Sequence, residues 1–250
     1  MWRRFCAAEV VGRTLGVVFM IPLKKALNSS IGRKFVMSIS GIALVLFVIV
    51  HLLGNLTLYV PDGGEAFNIY ASKFAALGPF LYVIELGLLG VIALHITWGV
   101  TTTLRNKGAR ANNYETGVVT KGGPSNLNPA SRNMIITGVV LGIFLVVHLW
   151  HFRIQKMFTD ATMTIDGKAY GDLYGLVATE FQNPLWVAFY VIAMLFLGFH
   201  LRHGFWSAFQ SLGAMKPQWS KGIYALGLTI AVVLAAGFLG IPVFLYMFGG

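Results

Sequence analysis

The stretch Ser38-Ile-Ser-Gly41-Ile-Ala-Leu-Val-Leu-Phe-Val-Ile-Val-His51-Leu52 sets one histidine deep inside an apolar run. A related stretch occurs later in the chain, where Thr137-Gly138 precedes His148-Leu149. Nine residues separate glycine from histidine in both copies. Two other apolar runs share a second pattern, in which histidine is followed by glycine four and thirteen residues later: His95, Gly99 and Gly108, and His200, Gly204 and Gly213. Four apolar runs therefore carry histidines in two matched pairs.

The composition is that of an integral membrane protein. Of the 250 residues, 56% are hydrophobic and only 11% are charged, whereas soluble domains carry about a quarter charged residues. The net charge of +10 could indicate nucleic-acid binding. The basic residues lie between the apolar runs rather than among exposed aromatics, as membrane topology requires, so we expect no nucleic-acid partner. The single Cys6 excludes a disulfide framework and a cysteine-based zinc site.

Five segments are long enough to cross a membrane, which takes about 20 mostly apolar residues. Their apolar residues continue without the alternation of a half-buried strand, so we expect helices. The segments are residues 35–60, 78–104, 133–154, 185–207 and 223–248. The predicted fold is an all-α integral membrane protein with five transmembrane helices.

The distribution of charge predicts how these helices are oriented. Basic residues accumulate in the N-terminal segment and in connections 105–132 and 210–221, and most acidic residues lie in the other two connections. The positive-inside rule then places the N-terminus in the cytoplasm. We expect a cytoplasmic segment over residues 1–34 and a transmembrane domain over 35–250. Arg3-Arg4-Phe5 resembles a twin-arginine signal that Glu9 and Arg13 interrupt, so we interpret residues 1–19 as a cytoplasmic extension or interfacial helix, with a start at Met20 as the alternative.

Depth in the bilayer follows from the helical rise. His51 would lie about 24 Å from the cytoplasmic end of the first helix, at 1.5 Å per residue. The third helix runs in the same direction and brings His148 to a similar depth. The second and fourth helices run inward and place His95 and His200 in the inner half. The matched pairs therefore predict two layers, each with two histidines on two helices.

A pair of facing imidazoles is typical of a haem site. Ionisable residues inside a membrane are costly and are usually functional. Haem iron takes axial imidazole ligands, and helix bundles build such sites from facing helices. A flat macrocycle also needs small residues beside it, although glycines equally serve ordinary helix packing. The glycines concerned are Gly41, Gly54, Gly87, Gly90, Gly99, Gly138, Gly142, Gly198 and Gly204.

Two other interpretations remain open. His148-x-x-His151 and His200-x-x-His203 have the spacing of a zinc or diiron site, but such sites usually include carboxylates, and Glu85 is the only acid within a predicted span. The histidines could also be purely structural, in a transporter or scaffold. Internal matching favours His148 and His200 as the metal ligands. His151 and His203 lie one turn nearer the two surfaces, where they could meet haem propionates or a quinone, or be interfacial polar residues.

The set of motifs resembles the cytochrome b membrane-anchor subunit of succinate dehydrogenase and fumarate reductase, in its five-helix, two-haem form. The resemblance extends from about residue 35 to the C-terminus. Its motifs are Ser38-x-Ser-Gly41-x9-His51, His95 before Arg105 with Asn113-Tyr114 following, His148-Leu149, and Phe199-His200-x-x-x-Gly204. It implies a cytochrome b domain with two b haems. His51 and His148 would ligate the distal haem, His95 and His200 the proximal one, and Ser38 would help to hold a propionate.

The family also implies partners and a role. A flavoprotein subunit and an iron–sulfur subunit would dock on the cytoplasmic face and carry out the dicarboxylate chemistry. This chain would exchange electrons with a membrane quinone, menaquinone being the expected species, in a bacterial cytoplasmic membrane. Basic residues near the inner surface could pair with propionates or lipid headgroups: Arg33, Lys34, Arg105 and Arg132. Relatives that couple electron transfer to proton movement use a glutamate in the fourth span, which this chain lacks.

Overall fold

The computed structural model describes residues 23–108, 119–120, 123–124 and 134–249. Most of the expected cytoplasmic segment, the Asn113-Tyr114 pair and Arg132 lie outside these residues. The helices are α1 (Leu23–Asn28), α2 (Ser30–Asn55), α3 (Glu65–Ala75), α4 (Pro79–Gly108), α5 (Met134–Leu149), α6 (Leu173–Phe181), α7 (Pro184–Ser211) and α8 (Pro217–Phe248). The strands are β1 (Val119–Thr120), β2 (Gly123–Pro124), β3 (Thr162–Ile165) and β4 (Lys168–Gly171).

Five helical segments of the described chain are long and apolar enough to cross a membrane, which confirms the predicted fold class. They are Ser30–Tyr59, Pro79–Arg105, Met134–Phe158, Pro184–Ser211 and Pro217–Phe248. Two of them, the first and the fourth, begin before the predicted apolar run and have a polar N-cap residue. The Ser29 side chain accepts a hydrogen bond from the Gly32 amide, and the Asn183 side chain caps Leu185, with Pro184 in the first turn. The third span ends in a π-helical turn, Trp150–Ile154, and a 3-10 turn, Gln155–Phe158.

The spans form two helix pairs. Helix α4 packs mainly on α2, and α5 packs mainly on α7, while contacts between α2 and α7 join the pairs. Helix α8 packs along α7 and also contacts α2. Small residues allow these two helices to approach closely: a Cβ added at Gly198 on α7 would lie 3.0 Å from Ala235 Cβ on α8. The histidine-bearing helices α2, α4, α5 and α7 are thus adjacent.

The connections at one end of the bundle are folded, which the sequence did not predict. We call this the hairpin end; it comprises α3, the antiparallel β3–β4 hairpin and α6. Asp166 and Gly167 turn the hairpin with φ of 50° and 75°, as a two-residue loop of this kind requires. Asn68 is 1% exposed; it donates to Asp172 Oδ1 at 3.0 Å and accepts from the Tyr174 amide at 2.9 Å. This one side chain therefore joins the two connections.

The opposite end of the bundle, where α2 begins, α4 ends and α7 turns into α8, is basic. We call it the basic end. Its basic residues with described side chains are Lys25, Arg33, Lys34, Arg105, Arg202, Lys216 and Lys221. The acidic residues of the described chain all lie in the hairpin-end half: Asp62, Glu65, Glu85, Asp160, Asp166, Asp172 and Glu180. The charge separation expected between the two faces is present.

Candidate functional site

Two imidazoles meet near the basic end. The ring centroids of His95 on α4 and His200 on α7 lie 6.3 Å apart, with an interplanar angle of 72°. Each ring has a hydroxyl beside its Nδ1 atom. The distance is 3.2 Å from His95 Nδ1 to Ser40 Oγ and 3.0 Å from His200 Nδ1 to Thr137 Oγ1. Helices α2 and α5 thus orient the rings that α4 and α7 carry.

The hydroxyl contacts favour one tautomer of these rings. Ser40 Oγ donates its proton to the Met37 carbonyl at 3.1 Å, and Thr137 Oγ1 donates to the Met134 carbonyl at 3.0 Å. Because a hydroxyl has only one proton, its oxygen is left to accept from the Nδ1–H of the imidazole. The lone pair then lies on Nε2, and metal-binding histidines are held in this way by a partner at the other nitrogen.

Glycines let both rings lie against a helix backbone. A Cβ added at Gly41 would stand 3.2 Å from His95 Cε1, and one added at Gly138 would stand 3.8 Å from His200 Cε1. The internal repeat is therefore more extensive than glycine and histidine alone. It includes a methionine and a hydroxyl residue before each glycine, at Met37 and Ser40 in one copy and at Met134 and Thr137 in the other. In both copies the hydroxyl and glycine of one helix, α2 or α5, contact the histidine of its neighbour, α4 or α7.

The second imidazole pair lies toward the hairpin end. The ring centroids of His51 on α2 and His148 on α5 are 5.9 Å apart, with an interplanar angle of 88°. Aromatic side chains surround the pair, with Phe47 stacked on His51 and Phe144 on His148. His51 follows Ser40 by eleven residues, and His148 follows Thr137 by the same number. That spacing sets the two layers about 16 Å apart along the helices.

The second pair lacks the hydroxyl partners of the first. His148 Nδ1 is buried and has no hydrogen-bond partner within the described part of the chain. Among the described residues, His51 Nδ1 has only the Asn55 amide nitrogen nearby, at 3.4 Å, and that amide donates to the His51 carbonyl at 2.7 Å. The two layers therefore share their imidazoles and differ in how those imidazoles are held.

The imidazole pairs fit axial ligation of haem iron. An iron held by both imidazoles of a pair, with metal–nitrogen bonds of about 2 Å, would require ring centres roughly 6 Å apart. Both observed separations are close to that value. Residues 23–108 and 134–249 contain no group of three or more histidine, cysteine, aspartate or glutamate side chains that could hold a metal ion. The zinc or diiron interpretation therefore gains no support from them.

Ser38 lies on α2, and within the described residues no hydrogen bond joins it to a histidine ring. Its side chain is buried, at 3% exposure, and its hydroxyl donates to the Lys34 carbonyl at 2.8 Å. Ser40, two residues later, is the hydroxyl that meets an imidazole.

The two remaining histidines lie outside both pairs. His151 is buried, at 3% exposure. Its Nδ1 lies 3.2 Å from the Tyr190 hydroxyl, and its Nε2 lies 3.8 Å from Glu180 Oε2. The His203 ring contacts the Trp206 ring at 4.8 Å, and His203 Nδ1 is buried without a partner among the described residues.

Glu85 forms an ion pair with Arg153. Arg153 donates to both of its carboxylate oxygens, from Nε at 2.8 Å and from Nη2 at 2.9 Å. Both side chains are about one third exposed, at 35% and 34%. Nothing in the sequence around Arg153 indicates this pair, because Glu85 lies 68 positions earlier in the chain. Glu85 therefore joins α4 to the end of the third span.

Comparison with known proteins agrees with the expected resemblance. The chain is 25% identical over 202 residues to the succinate dehydrogenase cytochrome b558 subunit of Bacillus subtilis (strain 168). The match covers 78% of this chain and 86% of that protein. No family model matches, and no solved structure matches. In sequence the chain is similar to a succinate dehydrogenase cytochrome b subunit, and its own five candidate spans are those of a multi-pass membrane protein.

Proposed function

We propose that this chain is the membrane anchor and electron-transfer subunit of a succinate dehydrogenase or fumarate reductase complex, passing electrons between an iron–sulfur partner and a membrane quinone through two b-type haems. The observation that carries the proposal is the meeting of four imidazoles in two pairs, at 6.3 Å and 5.9 Å, on four membrane-spanning helices. The relative's name supports the same assignment. A membrane metalloenzyme with a non-haem centre is not favoured, since it would need additional ligands.

Each layer has its own pair of proposed axial ligands. His95 and His200 would hold the haem nearer the basic end, and His51 and His148 the haem nearer the hairpin end. Haem iron supplies reversible one-electron chemistry at a potential set by its axial ligands, their hydrogen bonds and burial. Ser40 and Thr137 orient the first two ligands; Ser38 would have to give up its bond to Lys34 to donate to a propionate.

The basic end is proposed to face the cytoplasm. Its excess of lysine and arginine agrees with the positive-inside rule, and the acidic residues of the described chain lie in the opposite half. Residues 1–34 would then be a cytoplasmic segment, and 35–250 the cytochrome b domain. The flavoprotein and iron–sulfur subunits would dock at this face, and menaquinone is the proposed quinone.

Single histidine variants test the ligand assignment. In the purified complex, His200→Ala should lose one of the two haems, while His203→Ala should keep both, because His203 does not face another histidine. His51→Ala should lose the other haem. Haem per protein and the reduced-minus-oxidised absorption spectrum measure the outcome. Retention of both haems in His200→Ala, with loss of one in His203→Ala, would overturn the assignment.

A further inference from the structure

A cavity of about 100 Å³ opens at the basic end between α2 and α4. It is lined by Asn28, Arg33, Thr97, Trp98, Thr101 and Arg105. The two arginines come from opposite walls, one near the start of α2 and one near the end of α4. The cavity therefore combines two fixed positive charges with an indole and two hydroxyl groups.

The polar atoms of this region lack acceptors. Arg33 Nε and Nη1 and Trp98 Nε1 are buried with no hydrogen-bond partner among the described residues, and so is Thr102 Oγ1 on the same helix. Guanidinium and indole groups can only donate. A buried donor left without an acceptor costs about 1–3 kcal/mol, and native proteins pair nearly all such groups. In the part of the chain that the structure describes, the buried nitrogens of Arg33 and Trp98 lack an acceptor, and beside two arginines the favoured acceptor is negatively charged.

The described part of the chain offers no such acceptor. Its carboxylates all lie in the hairpin-end half of the bundle. Glu9 and Glu115 are the two acids outside the described residues.

The cavity lies closer to the basic end than the imidazole pair of His95 and His200, by about one helical turn along α4. Trp98 follows His95 by three residues on α4, which is nearly one helical turn, about 3.6 residues. Arg33 precedes His51 by eighteen residues, which is about five full turns. Arg33 therefore lies on the face of α2 that carries Ser40 and His51. Lys34, the next residue, is exposed and does not line the cavity.

We infer that this cavity is a binding site for an anionic oxygen group, a carboxylate or a phosphate, held by Arg33 and Trp98 with Arg105 at its mouth. Two molecules could supply the group: a haem propionate from the layer above, or the headgroup of an anionic phospholipid. The first source rests on the proposed function, and the second does not. Both chemistries match the bidentate donor geometry of arginine.

The test compares Arg33→Gln with Lys34→Gln in the purified complex, in nanodiscs of phosphatidylcholine alone or with phosphatidylglycerol. A propionate source predicts that Arg33→Gln lowers the midpoint potential of one haem in both lipids, because loss of a nearby cation favours the oxidised iron. A phospholipid source predicts unchanged potentials and loss of the phosphatidylglycerol that native mass spectrometry detects on the wild type. Trp98→Phe, which removes only the indole donor, should show the same change to a smaller extent.

The inference is overturned if Arg33→Gln and Trp98→Phe match Lys34→Gln in both potentials and retained lipid. It is also overturned if Glu9→Gln or Glu115→Gln reproduces the Arg33→Gln change, because the acceptor would then belong to the chain. A wild-type protein that holds phosphatidylglycerol through Arg33 but contains no haem would contradict the proposed function and leave this site standing.

Discussion

The hydroxyl of Thr137 provides a sharp test of how the imidazoles are held. Thr137→Val keeps the shape of the side chain and removes the oxygen that lies 3.0 Å from His200 Nδ1. Thr137 is 4% exposed, so water cannot readily replace that oxygen. The Nδ1–H of His200 would be left buried without an acceptor, at a cost of about 1–3 kcal/mol. Loss of such a partner typically weakens metal binding roughly 10- to 100-fold.

The assay follows transfer of haem from the purified complex to an excess of a haem-scavenging apoprotein. Thr137→Val should release one haem roughly 10- to 100-fold faster than the wild type, because the ligand His200 has lost its hydrogen-bond partner. Ser40→Ala should affect the same haem, because Ser40 holds the other ring of that pair. Thr103→Val is the matched control: the Thr103 hydroxyl donates to the Gly99 carbonyl at 2.9 Å, and no hydrogen bond within the described part of the chain joins it to a histidine.

Two outcomes would refute the reasoning. Thr137→Val could release both haems at the wild-type rate, which would show that the hydroxyl does not hold a ligand. Alternatively, Thr137→Val and Ser40→Ala could affect different haems, which would show that His95 and His200 do not share one.

Two further predictions concern packing around the site. A methyl group at Gly41 would stand 3.2 Å from His95 Cε1, whereas one at Gly138 would stand 3.8 Å from His200 Cε1. Gly41→Ala should therefore shift the spectrum of one haem while Gly138→Ala leaves it unchanged. Equal shifts in the two variants would contradict the geometry. Tyr190→Phe removes the hydroxyl beside His151 Nδ1 and should lower the free energy of unfolding by about 1–3 kcal/mol without loss of haem; unchanged stability in denaturant titrations would exclude that hydrogen bond.

Much of the architecture could be predicted because it depends on local regularities. The spans follow from the length of the apolar segments. The meeting of His51 with His148, and of His95 with His200, follows from matched spacings on helices of similar depth. A membrane-spanning helix fixes depth by residue count, so equal spacing gives equal depth.

The helical position of Ser40 in the sequence indicates its role. Ser40 precedes His51 by eleven residues, close to three full turns, so it lies on the same helix face, whereas Ser38 lies about 140° away. The repeat points to the same position, because Thr137 and Ser40 both stand directly before the matched glycine. Helical periodicity therefore favours Ser40 as the partner of an imidazole.

Other features depend on contacts between distant residues. Asn68 joins α3 to the start of α6, more than a hundred residues later, and nothing in its local sequence indicates that partner. The surroundings of His151 likewise come from two other helices, through Tyr190 and Glu180. Such polar contacts form where packed elements happen to bring matching groups together, so they have no periodic signature.

The most direct test of the central claim is the haem content of the purified wild-type chain in its complex. A reduced-minus-oxidised absorption spectrum, calibrated by pyridine haemochrome and protein assay, gives the number of b haems per chain. The paired imidazoles predict b-type bands and two haems, one for each layer. A spectrum without b-type bands, or a single haem that persists when either His51 or His95 is replaced by alanine, would contradict the account.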